Sequence, residues 1–254
     1  MMIDRFLSSL RFRLKRYQLG LASQDPGAAG ALPVRISGKR VELTCPPEER
    51  SVFVHEFGEI FLKDCYRLEK IPGGASTVLD IGANLGLFSL AARRRFPKAT
   101  IHCYEPNPAI APLLRGNVGP FAIACHIQAV GLSAGLVSLQ ARENSLHSVT
   151  GTDGTGVIPQ ISFAEAVERI GGSVDVLKLD CEGAEWQMFE QAGIWDAVKH
   201  LTMEYHLWAM PGSSLDDLFA VLGKLGFVIT NHSPSAEGSF GLLQAQRKEP
   251  SSAG

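Results

Sequence analysis

Several features that would point to common protein classes are missing from this chain of 254 residues. The five cysteines are scattered singly, at Cys45, Cys65, Cys103, Cys125 and Cys181. There is no CxxC pair, so neither a zinc site nor a disulfide framework is indicated, and a reduced, cytoplasmic setting is expected. No apolar run has the length of a transmembrane helix. The basic excess of a nucleic-acid-binding domain is also missing, because the formal net charge is −2. The Gly-rich loop TGTDGTG has no lysine after its glycines, which excludes a P-loop and leaves a surface loop. No internal repeat is present.

What is present fits an ordinary globular α/β protein, with 45% hydrophobic and 20% charged residues. The first twenty residues, MMIDRFLSSLRFRLKRYQLG, place Phe6, Leu10 and Leu14 on one helical stripe among Arg5, Arg11, Arg13, Lys15 and Arg16. A terminal helix docking that stripe on the domain is the expectation, with a membrane-surface helix or a transit peptide as alternatives. A Gly/Ala/Pro-rich connector follows, then a hairpin around Ser37-Gly38. Residues 1–47 are therefore read as a helix, connector and hairpin, 48–246 as the main domain, and 247–254 as a disordered tail.

Residues 51–71 show helical spacing at Val54, Phe57, Phe61 and Tyr66. From there strand and helix patterns alternate. TVLDI, ATIHCYE, FAIACHIQAVG, VDVLKLD and HLTMEYH read as strands. The segments between them read as helices, including one with Asn107 at its N-cap and Pro108 at N1. The exception is a polar, Gly-rich stretch from Leu132 to Pro159 with short strand-like pieces. FVITNHS and FGLLQAQ read as a closing antiparallel pair. Such alternation predicts a mostly parallel sheet with helices on both faces, and ligands on such sheets bind beyond the carboxyl ends of the strands.

Those ends carry acids. Asp80 closes the first strand before Gly82, Asn84 and Gly86. Glu105 closes the second, Asp180 and Glu182 the fourth, and Glu204 and His206 the fifth. Buried carboxylates are costly unless paired or solvated, so a polar ligand across the sheet edge is expected. Glu105 lies about two dozen residues past the glycines, close to the spacing at which an acid accepts from ribose hydroxyls. A nicotinamide cofactor would need G-x-G-x-x-G, and the register here gives Gly82, Asn84 and Leu87. Asp80 would also repel a pyrophosphate. It suits a cation, and S-adenosyl-L-methionine carries a sulfonium, an ammonium and no phosphate. Asp80 is expected to help bind its amino group, directly or through water.

TVLDIGANLGLFSLAA, IHCYEPNP and VDVLKLDCEGAEWQMF together resemble the FkbM family of S-adenosylmethionine-dependent methyltransferases, over roughly Glu48 to Leu243. LKLDCEGAEW, which matches K-[IL]-D-x-E-G-x-E, is the most specific block. The resemblance implies a class I methyltransferase (Rossmann-like) fold, a seven-stranded sheet with an antiparallel last strand. It implies O-methyl transfer, often onto a hydroxyl of a sugar, glycolipid or secondary metabolite. It assigns Asp80, Gly82, Asn84 and Gly86 to the methionine part, Glu105 to the ribose and Asn107 to the adenine side. Asp180 and Glu182 fall near the transferred methyl. Cys181 stands where valine or isoleucine is commoner and is read as packing. The third strand ends without an acid, so Gln128 and Ala129 are the candidates for adenine.

A hydroxyl nucleophile needs a proton acceptor, and Asp180 or His206 is the candidate base, in a polar pocket with Glu182. Glu182 reads equally as an anchor for the following helix. Asp180, Glu182, Glu204 and His206 are of metal-ligand type, but their spacing is generic and no metal is expected. Tyr66 and Trp186 are read as core. The partners expected are a small-molecule or glycan acceptor and no nucleic acid, with membrane contact through residues 1–20 not favoured. The alternatives are an NAD-dependent oxidoreductase and a non-catalytic protein that retains the fold.

Overall fold

The computed structural model describes residues 2–21, 31–141, 148–151 and 156–248. The chain runs α1 (Met2–Gln18), β1 (Ala31–Ile36), β2 (Lys39–Thr44), α2 (Arg50–Phe57), β3 (Thr77–Ile81), α3 (Leu87–Arg95), β4 (Thr100–Tyr104), α4 (Ala111–Val118) and β5 (Ala124–His126). Then come β6 (Ala129–Gly131), β7 (Gly135–Ala141), β8 (Ser148–Gly151), β9 (Ile158–Ser162), α5 (Phe163–Arg169), β10 (Val174–Leu179), α6 (Glu185–Met188), β11 (Val198–His206), α7 (Leu215–Lys224), β12 (Phe227–Pro234) and β13 (Phe240–Arg247).

The main sheet has seven strands in the order β12-β13-β11-β10-β3-β4-β5. Strands β11, β10, β3, β4 and β5 pair in parallel, and β13 runs antiparallel to both of its neighbours. This is the class I methyltransferase fold. Alternation along the central strands divides the core between the two faces. Val78, Ile101 and Val176 pack with α3, α4 and the β1–β2 hairpin, while Leu79, Ile81 and Leu177 pack with α5, α7 and Trp195. The chain builds outward from β3 to β5 and then returns to place β10 on the other side of β3. The strand order therefore reverses between β3 and β10, where a ligand crevice is expected.

Four local readings are corrected. FAIACHIQAVG is not one strand: β5 joins the main sheet, whereas β6 pairs with β9 in a separate four-stranded sheet, β6-β9-β7-β8. The helix after the hairpin stops before Tyr66. It continues from α2 as a π-helical segment, Gly58–Lys63, and ends at Asp64, whose φ is 56°. The Asp64 carboxylate then accepts from the N–H groups of Leu68 and Glu69, turning the chain. Asn107 does not cap α4. Its side chain accepts from the Ala109 N–H in an Asx turn, and α4 begins at Ala111 with Pro112 in its first turn.

Fourth, α1 does not dock its apolar stripe on the domain. Its Leu10 and Leu14 face solvent, and the Phe6 side chain lies outside the described residues. The helix docks through polar groups instead. Lys15 Nζ donates to the Leu62 carbonyl and pairs with Glu69, and Leu19 and Leu21 just beyond the helix enter the core. Among the described residues no helix is long and apolar enough to cross a membrane. The tail from 249 onward, residues 142–147 and most of the TGTDGTG loop lie outside the described residues.

Candidate active site

A cavity of about 510 Å³ opens at the carboxyl ends of β3, β4, β10 and β11, a size that suits a cofactor or drug-sized ligand. One end is lined by Glu105 and Gln128, the other by Asp180, Glu182 and Glu204. The turn after β3 lies between them. Its path is fixed by close approach. Gly82 has a φ of 79°, and a Cβ there would stand 1.7 Å from the Asp180 carbonyl oxygen. Gly86 has a φ of 83°, and a Cβ there would meet Val118 Cγ1 at 2.4 Å. Only glycine fits both the left-handed conformation and the space.

Asp80 stands behind this turn. It is fully buried and does not line the cavity. Its Oδ2 accepts from Ser89 Oγ at 2.6 Å, and the cation that faces it is the chain's own Lys178, with Nζ 3.5 Å from Oδ1. Lys178 also donates to the Gly82 carbonyl and lies 3.4 Å from Asp180 Oδ2. Burial works against its charge, but Asp180 and Asp80 outweigh burial and hold the ammonium protonated. Tyr66 Oη donates to Asp180 Oδ2 at 3.3 Å from the cavity wall.

Both Glu105 oxygens receive backbone donors, Oε2 from the Asn84 N–H and Oε1 from the Asn107 N–H. Burial raises its pKa, against the pull of those two donors. Asn84 lines the cavity, and its Oδ1 is buried without a hydrogen-bond partner among the described residues. Asn107 is buried behind Glu105 rather than on the cavity wall.

The β10 and β11 ends sort the remaining candidates. Asp180 and Glu182 line the cavity, with Glu182 at a φ of 52° on the turn into α6. The helix anchor is Glu185, fully buried, which accepts from the Gly183 N–H at 2.9 Å and holds His206 Nδ1 at 3.2 Å. His206 is buried and does not line the cavity. Burial opposes its charge, yet the Glu185 hydrogen bond and the charges of Glu185, Asp180 and Glu182 raise its pKa to about 9. Its Nε2 lies 3.8 Å from Glu182 and 4.0 Å from Glu204. Glu204 faces the cavity, and burial followed by the charge of Asp180 raises its pKa to about 8.

Burial raises the Cys181 pKa well above its ordinary value, and the protonated thiol donates to Glu185 Oε2 at 3.5 Å beside the cavity. Among the described residues no group of three or more His, Cys, Asp or Glu side chains could hold a metal ion. Sequence reasoning gave no role to Lys178 and Glu185. Both stand inside the KLDCEGAE block, which is the signal that could have found them.

Comparison with known proteins places the sequence in a family. The model of the methyltransferase FkbM domain matches residues 80–229, more than half of the chain. The methyltransferase sdnD of Sordaria araneosa is 26% identical over 268 residues, covering 85% of this chain and 98% of that one. The 31-O-demethyl-FK506 methyltransferase FkbM of Streptomyces tacrolimicus is 35% identical over 80 residues, 30% of each chain. Among solved structures, the magnesium protoporphyrin IX methyltransferase of Synechocystis PCC 6803 aligns with a TM-score of 0.44 at 12% identity, over 80% of this chain and 83% of that one. The chain belongs to the FkbM family of S-adenosylmethionine-dependent methyltransferases.

Proposed function

We propose that the chain transfers a methyl group from S-adenosyl-L-methionine to a hydroxyl of a small-molecule, glycan or glycolipid acceptor. The observation that carries this reading is the continuity of the cavity across the strand reversal, from Glu105 and Gln128 to Asp180, Glu182 and Glu204. The residues present suit the cofactor. Acidic side chains line the wall where a sulfonium and an ammonium would lie. Asn84 lines the same cavity, and its buried Oδ1 is an acceptor with no hydrogen-bond partner among the described residues.

Glu105 is the proposed acceptor for ribose hydroxyls, held in place by the Asn84 and Asn107 N–H groups. Gln128 is assigned to the adenine side, and Asn107 supports Glu105 from behind. Gly82 and Asn84 face the methionine part, while Asp80 and Gly86 shape the turn that carries them. When bound, the cofactor supplies a methyl group activated by its positive sulfur. Asp180, oriented by Lys178 and Tyr66, holds the acceptor hydroxyl, and Glu182 closes the same wall. An imidazolium has no free lone pair, so a charged His206 serves to position Glu182 and Glu204. Glu204 is the proposed proton acceptor in its ionised form, because a pKa raised to about 8 makes that carboxylate a stronger base than an ordinary one.

The test is calorimetric titration of the full chain with S-adenosylhomocysteine, paired with a transfer assay using methyl-labelled cofactor and fractionated cell extract. Micromolar binding and label appearing in a small molecule or glycan are expected. Binding of NADH with no affinity for S-adenosylhomocysteine would sink the reading, and binding without transfer to any fraction would favour a non-catalytic protein.

A further inference from the structure

The outward face of α1 carries an aligned apolar stripe. Leu10, Leu14 and Tyr17 recur at i, i+4 and i+7, so they form one stripe, and they are 54%, 54% and 72% exposed. The helix is nevertheless held against the domain from its other side. Lys15 reaches the Leu62 carbonyl at 3.1 Å and Glu69 at 2.8 Å, and Arg94 donates to Gln18. A single exposed leucine needs no explanation. An aligned apolar stripe on an anchored helix is a surface built to be covered.

Charge indicates what covers it. Arg11 and Arg13 are exposed and flank the stripe on either side. Residues Met2–Gln18 hold Arg5, Arg11, Arg13, Lys15 and Arg16 against a single acid, Asp4. Pairing this helix with its copy in a second chain would bring arginines against arginines, which is unfavourable. An anionic lipid surface offers negative headgroups to the arginines and hydrocarbon to the leucines, and the interface suits an amphipathic ring such as Tyr17. We propose that α1 docks the enzyme on an anionic lipid surface. The anchor also bears on the active site. Leu62 belongs to the Gly58–Lys63 segment, whose Glu59 and Ile60 line the cavity, so the docking helix is tied to a cavity wall.

Sedimentation of the full chain with vesicles tests this. Vesicles of phosphatidylcholine alone are compared with vesicles that also contain phosphatidylglycerol. Binding to the anionic vesicles and little to the neutral ones is expected. The double variant Leu10→Ser/Leu14→Ser should lower partitioning by about tenfold or more. Arg11→Glu/Arg13→Glu, or high salt, should weaken it as well. These side chains face solvent, so the unfolding midpoint and S-adenosylhomocysteine affinity should match wild type.

No binding to anionic vesicles at low salt overturns the proposal. Undiminished binding of the serine variant also overturns it, leaving bare charge attraction. A concentration-dependent dimer in sedimentation equilibrium that the serine variant abolishes would assign the stripe to a second copy of the chain.

Discussion

Lys178 Nζ lies 3.5 Å from Asp80 Oδ1 across the β3–β10 pairing, and both side chains are buried. Removing one partner leaves an uncompensated buried charge. Lys178→Met is expected to cost about 3–5 kcal/mol of stability. Adding Asp80→Asn should recover a large part of that loss, because the remaining group is then neutral. Denaturant unfolding of the two single variants and the double variant measures the coupling, and simple additivity would show that the pair is not energetically linked.

Glu105 has its two oxygens oriented by backbone N–H groups toward the cavity. Glu105→Gln should weaken S-adenosylhomocysteine binding by about 1.5 kcal/mol or more, the value of a charge-assisted hydrogen bond. Unchanged calorimetric affinity would place the ribose elsewhere.

Proton transfer to Glu204 requires its ionised form. With its pKa raised to about 8, kcat/KM should climb as pH rises through that value. Glu204→Gln should lower kcat, flatten that limb and leave S-adenosylhomocysteine affinity near wild type. A limb that survives in the glutamine variant assigns the proton acceptor to another group, with Asp180→Asn the next variant to profile.

The His206–Glu185 contact has its own pH signature. The folded pKa of His206 is raised to about 9 from an ordinary 6.5. Its stabilisation is therefore fully present below 6.5 and is lost as pH rises through about 9. His206→Gln should remove that slope from a plot of unfolding free energy against pH. A wild-type slope in the variant would mean that the histidine does not gain its proton on folding.

Gly82→Ala would force a methyl group to within 1.7 Å of the Asp180 carbonyl. Loss of S-adenosylhomocysteine binding and a lowered unfolding midpoint are expected, whereas alanine at Gly116, where a Cβ has open space, should be tolerated. Equal behaviour of the two variants would remove the close approach as the reason for glycine.

The strands and their acidic ends were legible in the sequence because each is a local pattern. VDVLKLD is apolar enough to be a buried strand, and Asp180 follows it whatever the topology. The role of Asp80 was not legible, because its cation comes from a strand almost a hundred residues later, and only the β3–β10 register brings them together. The same limit applied to Glu185 and His206, joined across α6 and β11. FAIACHIQAVG reads as one run because strand propensity does not record which sheet a residue joins. Tyr66 kept helical spacing after Asp64 had ended the helix, since a carboxylate turning back onto Leu68 and Glu69 leaves the apolar period intact.

Lys178 touches the Gly82 carbonyl on the turn facing the proposed cofactor and Asp180 on the wall facing the acceptor. The two ends of this continuous cavity thus share one buried side chain, and each end is one compartment of it. A molecule settling in one compartment changes the free energy of the Lys178 contacts that the other inherits. Thermodynamic reciprocity then requires that each ligand alter the other's affinity by the same factor. Saturation by one should be visible as a displaced binding isotherm for the other, with no mobile domain needed to carry the message.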